Sequence, residues 1–162
     1  MDKTPRGILL DSSFLMRLLN DEDQLHDNAL RYFRYFLENG FVLKCSTIAV
    51  AEYCVRGQAD ELPMANLKIL PFNFDHAIRA GELAQHVFAH KNQLNLPNRT
   101  IIPNDSKLFA QADVDTEVSD FATSDVECIK IYTLLKQQFP LNFNIINVRN
   151  PWHETFGQLD LT

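Results

Sequence analysis

Four of the 21 Asp and Glu residues stand out by where they fall in the chain. Asp11 follows directly on the apolar run Gly7–Leu10, and Asp125 follows Val118–Ala122 with Thr123 and Ser124 between. Glu52 is the single acid among Ile48, Ala49, Val50, Ala51, Tyr53, Cys54 and Val55, and Asp105 leads into Leu108, Phe109 and Ala110. A carboxylate at the mouth of a hydrophobic strand is costly to desolvate. Gathered at one place, such groups would repel by a few kcal/mol per close pair, even at an effective dielectric of about 20. A hard divalent cation offsets that repulsion, and oxygen ligands at ~2.0–2.1 Å suit Mg²⁺ or Mn²⁺. Each acid also has a simpler reading. Asp105 and Asp125 could be helix-start residues favoured by the macrodipole, Asp11 a helix cap, and Glu52 the partner of Arg17 or Arg31.

The elements that must position these acids can be read from periodicity and punctuation. Gly7–Leu10 reads as a strand and Ser12–Leu19 as a short helix. Asp27 to Asn39 is an amphipathic helix with Leu30, Phe33 and Leu37 on one face and Phe36 beside them, stopped by Gly40. Phe41–Cys45 is a strand, and Ser46 caps a helix running to about Arg56, ended by Gly57. That helix is apolar nearly all round and is expected to be buried. Leu67–Leu70 is a third strand, stopped by Pro71, and Asp75 caps a long helix to about His90. Lys91 to Asn104 carries two prolines and four asparagines and reads as a loop. Asp105–Ala112 is a helix, Val118–Ala122 a strand, Asp125–Gln137 a helix and Ile145–Val148 a last strand. Strands alternating with helices imply an α/β fold with a mostly parallel sheet of about five strands, covered on both faces and joined by right-handed crossovers. In such sheets ligands bind beyond the carboxyl ends of the strands, which is where Asp11 and Asp125 fall.

The 162 residues are expected to form one domain, with a core over about 7–148 and a C-terminal tail over 149–162. No apolar stretch reaches the length of a membrane span, and the N-terminus does not read as a signal peptide, so a cytoplasmic location with no membrane partner is expected. Cys45, Cys54 and Cys128 are odd in number and widely spaced, and read as small buried hydrophobes rather than a disulfide or zinc framework. The net charge of −6 argues against a broad electrostatic grip on nucleic acid. It leaves room for a nuclease whose cations are metal ions.

Four segments carry a resemblance. LLDSSFL is a strand ending in Asp-x-Ser, STIAVAEYCVRG holds an acid inside an apolar helix, NDSKLFAQA is an Asp before a small-apolar helix, and FATSDVE is a strand followed by Thr-x-Asp. In this order they resemble the PIN-domain family of metal-dependent ribonucleases, over about Gly7 to Val148, and in particular its VapC-like toxins. The resemblance implies a three-layer α/β/α fold. It also implies that Asp11, Glu52, Asp105 and Asp125 bind Mg²⁺ or Mn²⁺, with Ser13 and Thr123 supporting them by hydrogen bonds. The implied activity is endonucleolytic cutting of single-stranded RNA by metal-activated water, without a side-chain nucleophile. The implied partners are an RNA substrate and an antitoxin protein. Because the family includes members that bind without cutting, a catalytically inactive module binding RNA or protein is the alternative. A phospho-acceptor domain with Asp11 as nucleophile fits poorly, since Ser13 stands where a second acid would be needed.

Other groups are weaker candidates. His86 and His90 have the spacing of a metal pair but lack a third ligand and the Glu of a zinc-protease motif. Asp113, Asp115, Glu117 and Asp120 read as a solvated acidic turn around a strand start rather than a calcium loop, since no central Gly occupies it. Asp120 would come within reach of the site if its strand starts late, and Glu127 is a lesser candidate of the same kind. Lys107, Lys130, Arg17 and Arg34 could meet substrate phosphates. Trp152, Phe156, Leu159 and Leu161 exceed what a solvated tail requires. They are expected to pack on the chain's own core, or otherwise to form a homodimer or partner interface.

Overall fold

Residues 6–95 and 101–157 are described by the computed structural model. The apolar run Gly7–Leu10 forms strand β1, and all of its side chains are buried although successive ones point to opposite faces. Both faces of the sheet are therefore covered at its centre. Strands β2 (Val42–Ser46), β3 (Lys68–Leu70), β4 (Val118–Thr123) and β5 (Asn144–Asn147) complete a five-stranded sheet in the order β3-β2-β1-β4-β5, parallel throughout. The helices are α1 (Ser12–Leu19), α2 (His26–Glu38), α3 (Thr47–Tyr53), α4 (Phe74–Ala89), α5 (Ile101–Val114), α6 (Val126–Gln138) and α7 (Trp152–Thr155). On one side α2 packs against α1 and α7; on the other α4, α5 and α6 pack together, and α3 touches both α1 and α5. The chain lays β2 and β3 to one side of β1, then crosses back to lay β4 and β5 on the other. The order reverses between β1 and β4, and that is where a parallel sheet opens a crevice.

Local signals explain several ends. Gly40 follows α2 with φ of +72°, the left-handed stop that only glycine adopts without strain. The Ser46 hydroxyl accepts the Ile48 N–H at 3.0 Å and caps α3. Gly7 is required by a close approach: a Cβ there would collide with the Glu117 carbonyl, where β4 bulges between the partners of Gly7 and Ile8.

Other expectations are corrected. The Lys91–Asn104 loop is interrupted by a 3₁₀ turn over Lys91–Gln93, and α5 begins at Ile101, so Asp105 lies inside the helix rather than opening it. Pro103 sits in the first helical turn, where its missing N–H costs nothing. Asn73, not Asp75, caps α4, forming a reciprocal capping box with His76. Helix α3 stops at Tyr53, and a turn follows. It is not buried all round: Ala49 and Tyr53 face inward, whereas Ala51 is exposed and Val55, just beyond, is 78% exposed. Cys54 is exposed on that outward side, unlike buried Cys45 and Cys128. In α2 the inward face is Ala29, Tyr32, Phe33 and Phe36, and Leu37 turns outward.

The acidic turn is not a solvated surface. Lys44, buried in β2, donates to Asp115 at 2.7 Å and Glu117 at 2.9 Å. Asp113 accepts from Arg79 Nε at 2.9 Å and from the Asn142 N–H at 2.8 Å. Asp120 pairs with Arg6 and lies level with Ile8, below the carboxyl edge, because β4 already begins at Val118. At the C-terminus, Phe156 stacks on Tyr35 with ring centroids 3.9 Å apart, and Trp152 packs beside the same ring. Leu159 and Leu161 lie outside the described residues. Among the described residues no helix is long and apolar enough to cross a membrane.

Candidate active site

Asp11 sits at the end of β1, 4% exposed, and its N–H donates to the Ala122 carbonyl of β4 at 3.0 Å. Its main chain caps α1, but its side chain makes no capping bond. Instead Oδ2 accepts from the Ser13 and Thr123 hydroxyls, each at 2.8 Å, which also lie 3.2 Å from one another. The Ser13 oxygen accepts the Ser124 N–H at 3.1 Å, and the Thr123 oxygen accepts the Asp125 N–H at 3.0 Å. This net ties β1 to the β4–α6 turn across the point of strand reversal. Asp125 is also a true helix cap, accepting the Glu127 N–H at 2.9 Å through Oδ1.

Glu52 reaches the same place from α3. Its Oε2 lies 3.4 Å from the Ser12 hydroxyl, which is 3.5 Å from Asp11 Oδ1, while its Oε1 is buried without a partner. Neither Arg17 nor Arg31 pairs with it; Arg17 is bound to Asp23. Asp105 arrives from α5, buried, with Oδ2 unpartnered. None of the four acids has an ion-pair partner among the described residues.

The electrostatics follow from burial without compensation. Desolvation, then the fields of Asp11, Asp125 and Glu52, push the Asp105 carboxyl up to about 8. Desolvation and the charge of Asp11 push Glu52 up to about 7. Asp11 is raised by burial although the Thr123 and Ser13 hydroxyls oppose the shift. The four groups thus feel one another across a shared space at the carboxyl edge. They are not drawn into a finished cage: among the described residues no three His, Cys, Asp or Glu side chains are close enough to hold one ion. Cys128 lies beneath, its thiol driven well above its ordinary value by burial and the acids, so it supplies no thiolate.

Three contributors escape sequence reasoning. Ser12 bridges Asp11 and Glu52, and its only signal is adjacency to Ser13. Ser124 is buried with its hydroxyl unpartnered and its carbonyl held by Arg149 Nε at 2.6 Å. Nothing in the local sequence marks Arg149. The histidine pair holds nothing: His90 Nδ1 lies 2.8 Å from the carbonyl of His86 on the same helix. Glu127 lies beside Lys130, at 3.3 Å, rather than joining the four acids.

No family model and no curated protein sequence matches the chain. Solved structures do. VapBC2 from Rickettsia felis, bound to a DNA fragment from its promoter, matches with a TM-score of 0.59 and 18% identity, over 87% of this chain and 98% of that one. The chain has a VapC-like PIN-domain fold. DNA-bound VapBC from Salmonella typhimurium matches at 0.57 and 14% identity, over 88% and 98% of the two chains. VapC20 from Mycobacterium tuberculosis, a sarcin-ricin loop cleaving toxin, matches at 0.54 and 16% identity, over 76% and 93%.

Proposed function

We propose that this PIN-fold chain is a divalent-cation-dependent endoribonuclease cutting single-stranded RNA, with Asp11, Glu52, Asp105 and Asp125 as its metal ligands. The observation that carries this reading is a set of four mutually repelling carboxylates from four separate elements, with buried oxygens of Glu52 and Asp105 left unpartnered. A purely structural cluster would recruit Arg or Lys, as Asp113, Asp115 and Asp120 do elsewhere in this fold. The donor set is all hard oxygen, which fits Mg²⁺ or Mn²⁺, and binding would draw the carboxylates inward.

A bound ion would supply Lewis acidity to a phosphoryl oxygen and acidify a water for attack. Asp11 would be the fixed ligand, its Oδ2 held by Ser13 and Thr123 and its Oδ1 beside the Ser12 hydroxyl. Asp125 is held by the cap of α6. Glu52 and Asp105 are the adjustable ligands, each with a free oxygen. Ser12 keeps Glu52 in register with Asp11. The VapBC complexes support an antitoxin-like protein partner, which would close the site by offering Arg or Lys to the unpaired acids.

The test is cleavage of a labelled single-stranded RNA. Purified protein with Mg²⁺ or Mn²⁺ should cut internally, chelation should stop it, and Asp11→Asn should be inert yet folded. Equal cutting by Asp11→Asn would refute the assignment. Metal and RNA binding without cutting by the native protein would make it a non-catalytic module.

A further inference from the structure

A row of acids repels the very backbone it is proposed to cut, so something must hold the phosphates on either side. The sheet order places Glu52, Asp11 and Asp125 in sequence along the carboxyl edge, from the β2 side to the β4 side, and Arg149 follows β5 at the far end. Arg149 is exposed and tethered through Nε to the Ser124 carbonyl at 2.6 Å, one residue from Asp125. Its terminal guanidinium nitrogens have no partner among the described residues. This is a positioned cation rather than a wandering one.

At the other end, Glu52 lines a hollow of about 410 Å³ together with Thr47, Ile48, Ala51, Val55 and Lys107, beside Asn104. The volume lies within the range of a small-ligand pocket. Its wall is apolar: half-buried Ile48 stands beside exposed Ala51 and, just past the helix, strongly exposed Val55, residues that sequence reasoning expected to be buried. Lys107 is half-buried there and has no carboxylate or hydrogen-bond partner among the described residues. Lys44, Lys130, Arg6, Arg17 and Arg79 are all taken by acids. In a chain of net charge −6, a cation without a partner among the described residues at each end of an acid row is a charge pattern that fits a polyanion.

We infer that a single-stranded RNA lies along this edge, its backbone held by Lys107 before the acids and by Arg149 after them, with one flanking base resting in the Ile48–Ala51–Val55 hollow. The inference rests on the nuclease reading above and adds the path and the phosphate contacts. The amide of Asn104 is the polar group available to that base. A planar base offers an apolar face to the α3 side chains, and its edge remains open to hydrogen bonding.

The experiment measures equilibrium binding of a short fluorescein-labelled single-stranded RNA by anisotropy across a salt series. The protein carries Asp11→Asn, so that the RNA survives. For single strands, each phosphate contact contributes about 0.7 to the slope of log K against log salt. Lys107→Ala and Arg149→Ala should each lower the slope by about 0.7, and together by about 1.4. Lys130→Ala, whose cation is already paired, should leave it unchanged. Arg149→Lys keeps the charge without the Ser124 tether and should restore most of the slope, which a merely structural role would not allow. In cleavage assays with the Asp11 protein, Lys107→Ala should raise KM several-fold with kcat little changed. Unchanged slopes and KM in a protein that does cut RNA would overturn this path and leave the nuclease standing. Reduced slopes in a protein that never cuts would overturn the nuclease and leave the path. Slopes unchanged for RNA, with lost affinity for a co-purified protein partner, would assign the edge to that partner instead.

Discussion

The acid cluster should make the metal-free protein progressively less stable as pH rises, and Asp105→Asn should remove much of that loss. Asp105 is held at about 8 in the fold against an ordinary value of 3.8. A carboxyl raised by folding favours the folded state at low pH, and that contribution is lost as pH climbs from the unfolded towards the folded value. Here the window runs from about 4 to about 8. At roughly 1.4 kcal/mol per unit, the upper bound between pH 5 and pH 8 is about 4 kcal/mol. Relaxation and water entry in the open edge reduce it, and the neighbouring acids share it, so about 2 kcal/mol is a fair expectation. For a chain of this size that is roughly 4–8 °C in melting temperature. Thermal melts of both proteins in chelator at pH 5 and pH 8 provide the assay. Asp105→Asn should melt higher than the native chain at pH 8 and about equal to it at pH 5. A difference independent of pH, or a variant less stable at pH 8, would refute the reasoning that uncompensated charge resides at Asp105.

Three further outcomes follow from the same geometry. Mg²⁺ or Mn²⁺ at about a hundred times its Kd should stabilise the native chain at neutral pH by ~2.7 kcal/mol, reversed by chelator, and Asp11→Asn should lose most of this in the same melts. Thr123→Val removes a hydroxyl from Asp11 Oδ2 and an acceptor from the Asp125 N–H; RNA cleavage should fall at least tenfold, about 1.4 kcal/mol in the barrier, with the circular dichroism spectrum retained. Phe156→Ala strips the stack on Tyr35 and should cost roughly 2–3 kcal/mol in urea unfolding without changing kcat, since the ring lies on the α2 side.

The parallel alternation was legible because its punctuation is local. Ser46 caps α3, Gly40 ends α2, and a fully apolar β1 runs into a charge, each detectable within a few residues. The placement of four acids on separate elements was legible too, since a carboxylate beside an apolar run is conspicuous wherever it occurs. What escaped depends on partners distant in the chain. Asp120 reads as a loose acid until Arg6 is found beside it across the bulge, and Asp115 and Glu117 read as solvated until Lys44 is seen buried between them. Pro103 suggested a breaker because sequence does not distinguish the first turn of a helix from its interior. The apolar composition of α3 suggested burial all round, but a seven-residue helix packed on β2, α1 and α5 leaves Ala51, and Val55 just beyond it, uncovered.

That outward apolar face and the unpaired acids beside it belong to one physical argument. Buried charge elsewhere in the described residues is balanced locally: Lys44, Asp113 and Asp120 each face an opposite charge, and the hydrogen-bonded net around Asp11 is closed by Ser13 and Thr123. The carboxyl edge alone combines like charges without counterions, buried oxygens without donors at Glu52 and Asp105, and exposed aliphatic groups at Ala51 and Val55. Each feature costs free energy in the isolated chain, and they share one edge across four elements. Drift would scatter such defects over the surface. The proposed site, completed by a cation and a polynucleotide, would concentrate them, because the same ligands would neutralise the acids and cover the aliphatic wall. The rigid member of the set, Asp11, is the one fastened to both halves of the sheet, whereas Glu52 and Asp105 retain free oxygens. In the proposed site a cation would therefore close the cluster by moving side chains on α3 and α5 while the β1–β4 crevice stays fixed.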